Sequence, residues 1–63
     1  MSINKIENNK NFIEGENILV KDTNSDIWLN REFLSFNKNN KAVCKVPDIK
    51  DSYYAWSEFK KKN

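Results

Sequence analysis

A chain of 63 residues that holds one cysteine and no histidine has neither a disulfide nor a zinc staple to fold around. Domains this short sit near the lower limit at which burial of apolar surface alone outweighs chain entropy. One small core is the most such a chain can build. Only 38% of its residues are hydrophobic, but two Trp, two Tyr and four Phe are among the aromatic residues, and each ring removes a large area from water. Aromatic side chains are therefore expected to supply much of the burial. The same inventory leaves no Cys/His or Ser/His/Asp nucleophile and no convincing carboxylate pair, so the chain reads as a non-enzyme with no metal and no cofactor. A single cysteine fits a reducing compartment. The opening "MSINKIENNKNF" lacks the apolar run of a secretion signal, and no segment is long enough to span a bilayer. A soluble, cytoplasmic protein without a membrane partner is the expectation.

Residues 1–11 are polar and read as a flexible N-terminal arm, which leaves residues 12–63 as a single domain. After Gly15, Ile18, Leu19 and Val20 form a short apolar run with polar flanks, as in a strand with much of both faces covered. "DTNSD" (22–26) is a run of turn formers leading into a second strand. In that strand, "DIWLNREFLSF", Ile27, Leu29 and Phe33 share one parity while Trp28, Leu34 and Phe36 share the other. A straight half-buried strand cannot change faces in this way. A β-bulge or sharp bend can, and the pattern predicts one near Asn30–Glu32. A helix there would have a weak 3.6-residue period and poor caps. "NKNN" (37–40) reads as a hairpin turn, and "KAVCKVP" as a strand with Ala42, Cys44 and Val46 on one face, ended by Pro47. "YYAWSEFKK" supplies a last short strand. Four or five short strands joined by tight turns predict an all-β protein, a small antiparallel barrel.

From Gly15 onward the order of motifs resembles a group of small phage and prophage proteins expected to adopt an SH3-like or Tudor-like barrel. The resemblance lies in "GENILVKD" (15–22), "WLNREF" (28–33), "KAVC" (41–44) and "AWSEFKK" (55–61). In place of the Lys-Pro that ends the final Trp strand in such relatives, this chain has Lys60, Lys61 and Lys62. The resemblance implies a fold more than a job. Because many small phage proteins act by binding a host protein, it also implies a host-directed inhibitor, including an anti-CRISPR-like or other anti-defence protein.

Several residues are candidates for a partner surface. Trp28, Phe36, Tyr53, Tyr54 and Trp56 could line one end of the barrel, although Trp28, Phe33 and Trp56 are also needed to fill its centre. Adjacent strand residues point to opposite faces, so at least one of Tyr53 and Tyr54 is expected to be exposed. Arg31 is read either as an anchor for an acidic or phosphate group or as an ion-pair partner of Glu16, Asp22 or Glu58. Leu29 and Phe33 are expected inside, with Arg31 and Trp28 facing out across the bend. Partner binding is thus assigned to Trp28, Arg31, Tyr53, Tyr54 and Trp56. Asp22, Asn24 and Asp26 match the start of a calcium loop, but Ile27 and Phe33 occupy the places of its Gly and Glu, so a plain turn is expected. Cys44 reads as buried and inert.

Charge supplies the competing expectation. Residues 1–32 carry four basic and six acidic side chains, whereas residues 33–63 carry seven Lys and three acids. Lys41, Lys45, Lys60 and Lys61 could form a basic strip beside Tyr54 or Trp56, as a nucleic-acid or nucleotide binder or a signal-sequestering homo-oligomer would need. Edge protection is the plainer role for such lysines. The leading expectation is a binding module for a host protein or defence complex.

Overall fold

The computed structural model describes residues 12–62, so the arm expected over residues 1–11 lies outside the described residues. Five strands follow one another: β1 Asn17–Lys21, β2 Leu29–Phe36, β3 Ala42–Lys45, β4 Tyr53–Trp56 and β5 Glu58–Lys60. All pairings are antiparallel, in one sheet of order β4-β3-β2-β1-β5. The described residues contain no helix, and so none long and apolar enough to cross a membrane. The all-β expectation holds.

The last segment needs correction. "YYAWSEFKK" is not one strand but two, β4 and β5, which occupy opposite edges of the sheet with only Ser57 between them. Consecutive Cα atoms are 3.8 Å apart, so Trp56 and Glu58 can be separated by at most about 8 Å. The sheet must curl to bring its edges that close. Its hydrogen-bonded ladder nevertheless stays open between β4 and β5.

Alternation along the strands defines the inner face of this curl. Ile18 and Val20 of β1 and Ala42 and Cys44 of β3 are fully buried, and Phe33 of β2 is nearly so. Leu29, Phe36, Trp56, Phe59 and Phe12 pack against them. The face change in β2 comes from a β-bulge, but at Leu34 rather than near Asn30–Glu32. Phe33 pairs with Cys44 and Ser35 with Val43, which leaves Leu34 without an opposite number. The extra residue puts Phe36 on the same inner face as Phe33 despite their odd spacing. A bulge beyond Phe33 also leaves Leu29, Arg31 and Phe33 on one face, so Arg31 does not face away from them as expected.

The segment before β1 closes one end of the core. Gly15 adopts φ +94°, a conformation open to glycine and strained for other residues, and its N–H bonds to Phe33 O at 2.8 Å. The Phe33 N–H returns a 2.8 Å bond to Glu16 O. Phe12 is thereby held over Phe33, Phe36 and Phe59, with ring centroids 5.6, 5.5 and 5.7 Å away. Glu16 fastens the same corner, since its carboxylate accepts the Ile13 N–H at 2.9 Å and pairs with Lys61. The hydrogen bond from Lys61, and after it the one from Ile13, hold the Glu16 carboxyl below its ordinary value of 4.5. A carboxyl whose pKa is depressed by folding stabilises the fold above its unfolded pKa and ceases to do so as pH falls through the folded one. In urea titrations at a series of pH values, the wild type should exceed Glu16→Gln in stability at neutral pH. The gap should close in acid, and a gap that persists there would locate the effect elsewhere.

The turns follow their sequences. Asn37 Oδ1 accepts the N–H groups of Asn39 and Lys41 at 2.9 and 3.0 Å, an Asx-type closure of the β2–β3 hairpin. Asn40 takes up the positive φ of 63° that this turn requires. In the loop from β3 to β4, Asp48 and Asp51 adopt φ values of 67° and 59°. These conformations are tolerated best by Asn and Asp after Gly.

Candidate functional site

Cross-strand register builds the site. Cys44 pairs with Phe33 on one side and Tyr54 on the other, and Ala42 with Phe36 and Trp56, so Tyr54 and Trp56 extend the inner face of the sheet onto the edge strand β4. Two residues before Phe33 on that face is Arg31, and two after Cys44 is Val46. These side chains meet in an open cleft of about 260 Å³ lined by Asp22, Arg31, Lys45, Val46, Pro47, Tyr54 and Trp56. At the edge of the sheet no further strand covers the aromatic pair. Tyr54 is 52% exposed and meets the half-buried Trp56 edge-on, with centroids 4.7 Å apart.

Arg31 is half-buried beside this pair. Its Nη1 donates to the carbonyl of Asn30 at 2.8 Å, which uses one of the several donors of a guanidinium. None of the acidic partners considered for it forms an ion pair with it, although Asp22 lines the same cleft. Glu16 is paired with Lys61, the only salt bridge among the described residues, so no carboxylate there reaches ion-pairing distance of Arg31. The guanidinium is close enough to Cys44 to oppose, in part, the effect of burial on the thiol, which is pushed up to about 11. Cys44 is therefore a neutral core residue, and a thiol held neutral is a poor nucleophile.

A second, wider cleft of about 590 Å³ adjoins the first and shares Arg31, Lys45, Val46 and Pro47 with it. It continues along Asn17, Asn30, Glu32, Asp48, Ile49 and Lys50. The loop after β3 thus forms one wall of both clefts, and Ile49 stands 57% exposed on it.

Of the expected partner-binding residues, Arg31, Tyr54 and Trp56 come together. Tyr53 does not join them, because it pairs with Lys45 on the outer face, where it is 47% exposed. Trp28 is also separate. It precedes β2, half-buried, beneath two ammonium groups, with Lys60 Nζ 4.4 Å and Lys21 Nζ 5.5 Å from the ring centroid. The expected basic strip is divided in the same way. Lys45 and Lys41 do stand beside the aromatic pair, Lys45 in the narrow cleft and Lys41 in a small recess with Tyr54 and Trp56, whereas Lys60 is engaged on Trp28 and Lys61 with Glu16 and the ring of Phe12. The segment 22–26 is a turn closed by Ser25 N–H to Asp22 O at 3.0 Å. No group of three or more potential metal ligands occurs among the described residues.

Sequence reasoning left Val46, Pro47 and Asp22 out of the site. Val46 had a legible signal, since it continues the buried parity of Ala42 and Cys44 past the end of the strand. Asp22 was considered only as one of three ion-pair partners for Arg31, and it is the curl of the sheet that brings it into the cleft with Tyr54 and Trp56. Comparison of the chain with family models, with curated proteins and with solved structures gives no match.

Proposed function

We propose that the curled five-stranded sheet is a variant of the SH3-like barrel and that the protein is a non-enzymatic binding module. It occupies a surface of a larger protein through the cleft at Arg31, Tyr54 and Trp56. One observation carries the reading: a half-buried guanidinium with no carboxylate partner among the described residues stands beside an exposed Tyr and a half-buried Trp. Arg, Tyr and Trp in a partly desolvated recess are the residues that dominate the energetics of protein interfaces. The raised pKa of Cys44 and the lack of histidine favour obstruction of a partner over catalysis. The resemblance to small phage proteins directs the proposal to a host target in the bacterial cytoplasm, an anti-defence role of the anti-CRISPR kind included. The nucleic-acid reading is the weaker one, because Lys60 and Lys61 are engaged within the domain away from Lys45.

The test is affinity capture from bacterial lysate with wild type, Tyr54→Ala and Arg31→Gln, each checked by circular dichroism and by light-scattering chromatography. Wild type should retain one protein at near-equal stoichiometry. Each substitution should weaken that binding by about tenfold or more while the spectra and unfolding midpoints stay close to wild type. Unfolded variants would place these side chains in the core, and binding unaffected by either would remove the cleft from the interface.

A further inference from the structure

The cleft also carries information on what it binds, and this inference rests on the binding-module reading above. Arg31 is its centre, common to the narrow and the wide part. A guanidinium lining a partly apolar recess, with most of its donors unmatched by groups of the described residues, is a seat for an oxygen anion, which a planar fork holds in two parallel hydrogen bonds. Most of the walls next to it are uncharged, with one carboxylate, Asp22, and one ammonium, Lys45, among them. Val46, Pro47, Tyr54 and Trp56 line the narrow part, so whatever brings the anion also brings apolar surface.

Charge decides between an isolated carboxylate and a polyanion. Across the two clefts Arg31, Lys45 and Lys50 are offset by Asp22, Glu32 and Asp48, and the trough as a whole is neutral. A nucleic acid or polyacidic tract would set its successive charges against the three carboxylates, whereas binding of polyphosphate backbones draws on clustered cations. One anion over Arg31, with Lys45 as a second cation common to both clefts, has only to keep clear of Asp22 in the narrow part and Glu32 in the wide one. Shape points the same way, because adjoining clefts that run from Trp56 past Arg31 to Ile49 suit an extended chain better than a compact solute.

We infer that the trough takes an extended segment of the partner protein, in which a single Asp or Glu carboxylate sits on Arg31. An adjacent apolar side chain of that segment packs against Val46, Pro47, Tyr54 and Trp56. Asp22 at one end and Glu32 with Asp48 at the other exclude further acidic residues close by.

The probe is a displayed library of short random peptides selected on the wild-type protein, followed by fluorescence anisotropy on the most enriched peptide. Enriched sequences should share one acidic residue next to an apolar one. Replacing that residue by its amide should weaken binding by about tenfold or more, Arg31→Lys should lose most of the same factor, and Arg31→Gln should bind acid and amide peptides alike. Equal binding of acid and amide peptides by the wild type would overturn the inference, as would enrichment of basic or polyacidic sequences. Tighter binding of an oligothymidylate than of any peptide would overturn it in favour of nucleic acid. Failure of the library while Tyr54-dependent capture of a lysate protein persists would also overturn it, yet leave the binding module standing. Loss of the Tyr54 dependence itself would bring down the module reading as well.

Discussion

Phe33→Ala is expected to leave the chain largely unfolded in water. Phe33 is 3% exposed and lies between Ile18 and Val20 on one strand and Ala42 and Cys44 on another in the buried cluster. Its ring is also the hub on which Phe12 and Phe36 rest, at 5.6 and 5.0 Å. Truncating a buried Phe costs about 3–5 kcal/mol, and a core of this size rarely supplies more than about 3–5 kcal/mol in all. The loss is as large as the reserve. Far-ultraviolet circular dichroism with urea titration should show no cooperative transition for the variant, and a transition within about 1 kcal/mol of wild type would mean that other side chains fill the centre.

Phe12→Ala should cost about 2 kcal/mol, in keeping with a ring that is half-buried rather than enclosed. The residue lies outside every strand, yet it touches Phe33 of β2, Phe36 of β2 and Phe59 of β5 and receives Lys61 Nζ 5.1 Å from its ring centroid. It is a lid on the end of the core formed by the first and last parts of the described chain. Because Phe12 contributes nothing to the walls of the cleft at Arg31, the variant should melt earlier while keeping the affinity of wild type at temperatures where it is folded. A fall in affinity matching the fall in stability would show that the two ends of the sheet are coupled. A melting point equal to that of wild type would show that the ring adds no packing energy.

Much of the architecture was legible because strands announce themselves by period. β1 stands where its short apolar run placed it and β3 where its alternation did, and the turns at 22–26 and 37–40 fall on the polar clusters. The bulge was legible in kind but not in place. Parity requires one face change between Leu29 and Phe36, but only pairing with β3 puts it at Leu34, and that shift reverses the side on which Arg31 emerges. The division of the last segment had a trace in the change of parity from Trp56 to Phe59, which a turn at Ser57 explains. Within the site, Tyr54 and Trp56 were joined by their spacing alone. Their meeting with Arg31, and the removal of Trp28 to the lysines of β1 and β5, depend on which strand lies beside which. Local sequence does not encode that.

The order of the sheet also governs the path by which it forms. β1 is completed on one side by β2, its neighbour along the chain, but on the other by β5, the strand most distant from it in sequence. Pairings so far apart carry a large loop-closure entropy and are characteristic of slow, late steps in all-β proteins. Until Phe59 and Lys60 arrive, β1 offers an open row of amides and carbonyls beside Ile18 and Val20, the kind of template on which incomplete chains associate with one another. The hazard in this small protein is therefore temporal: it lies in the interval between closing the first hairpin and docking the final strand.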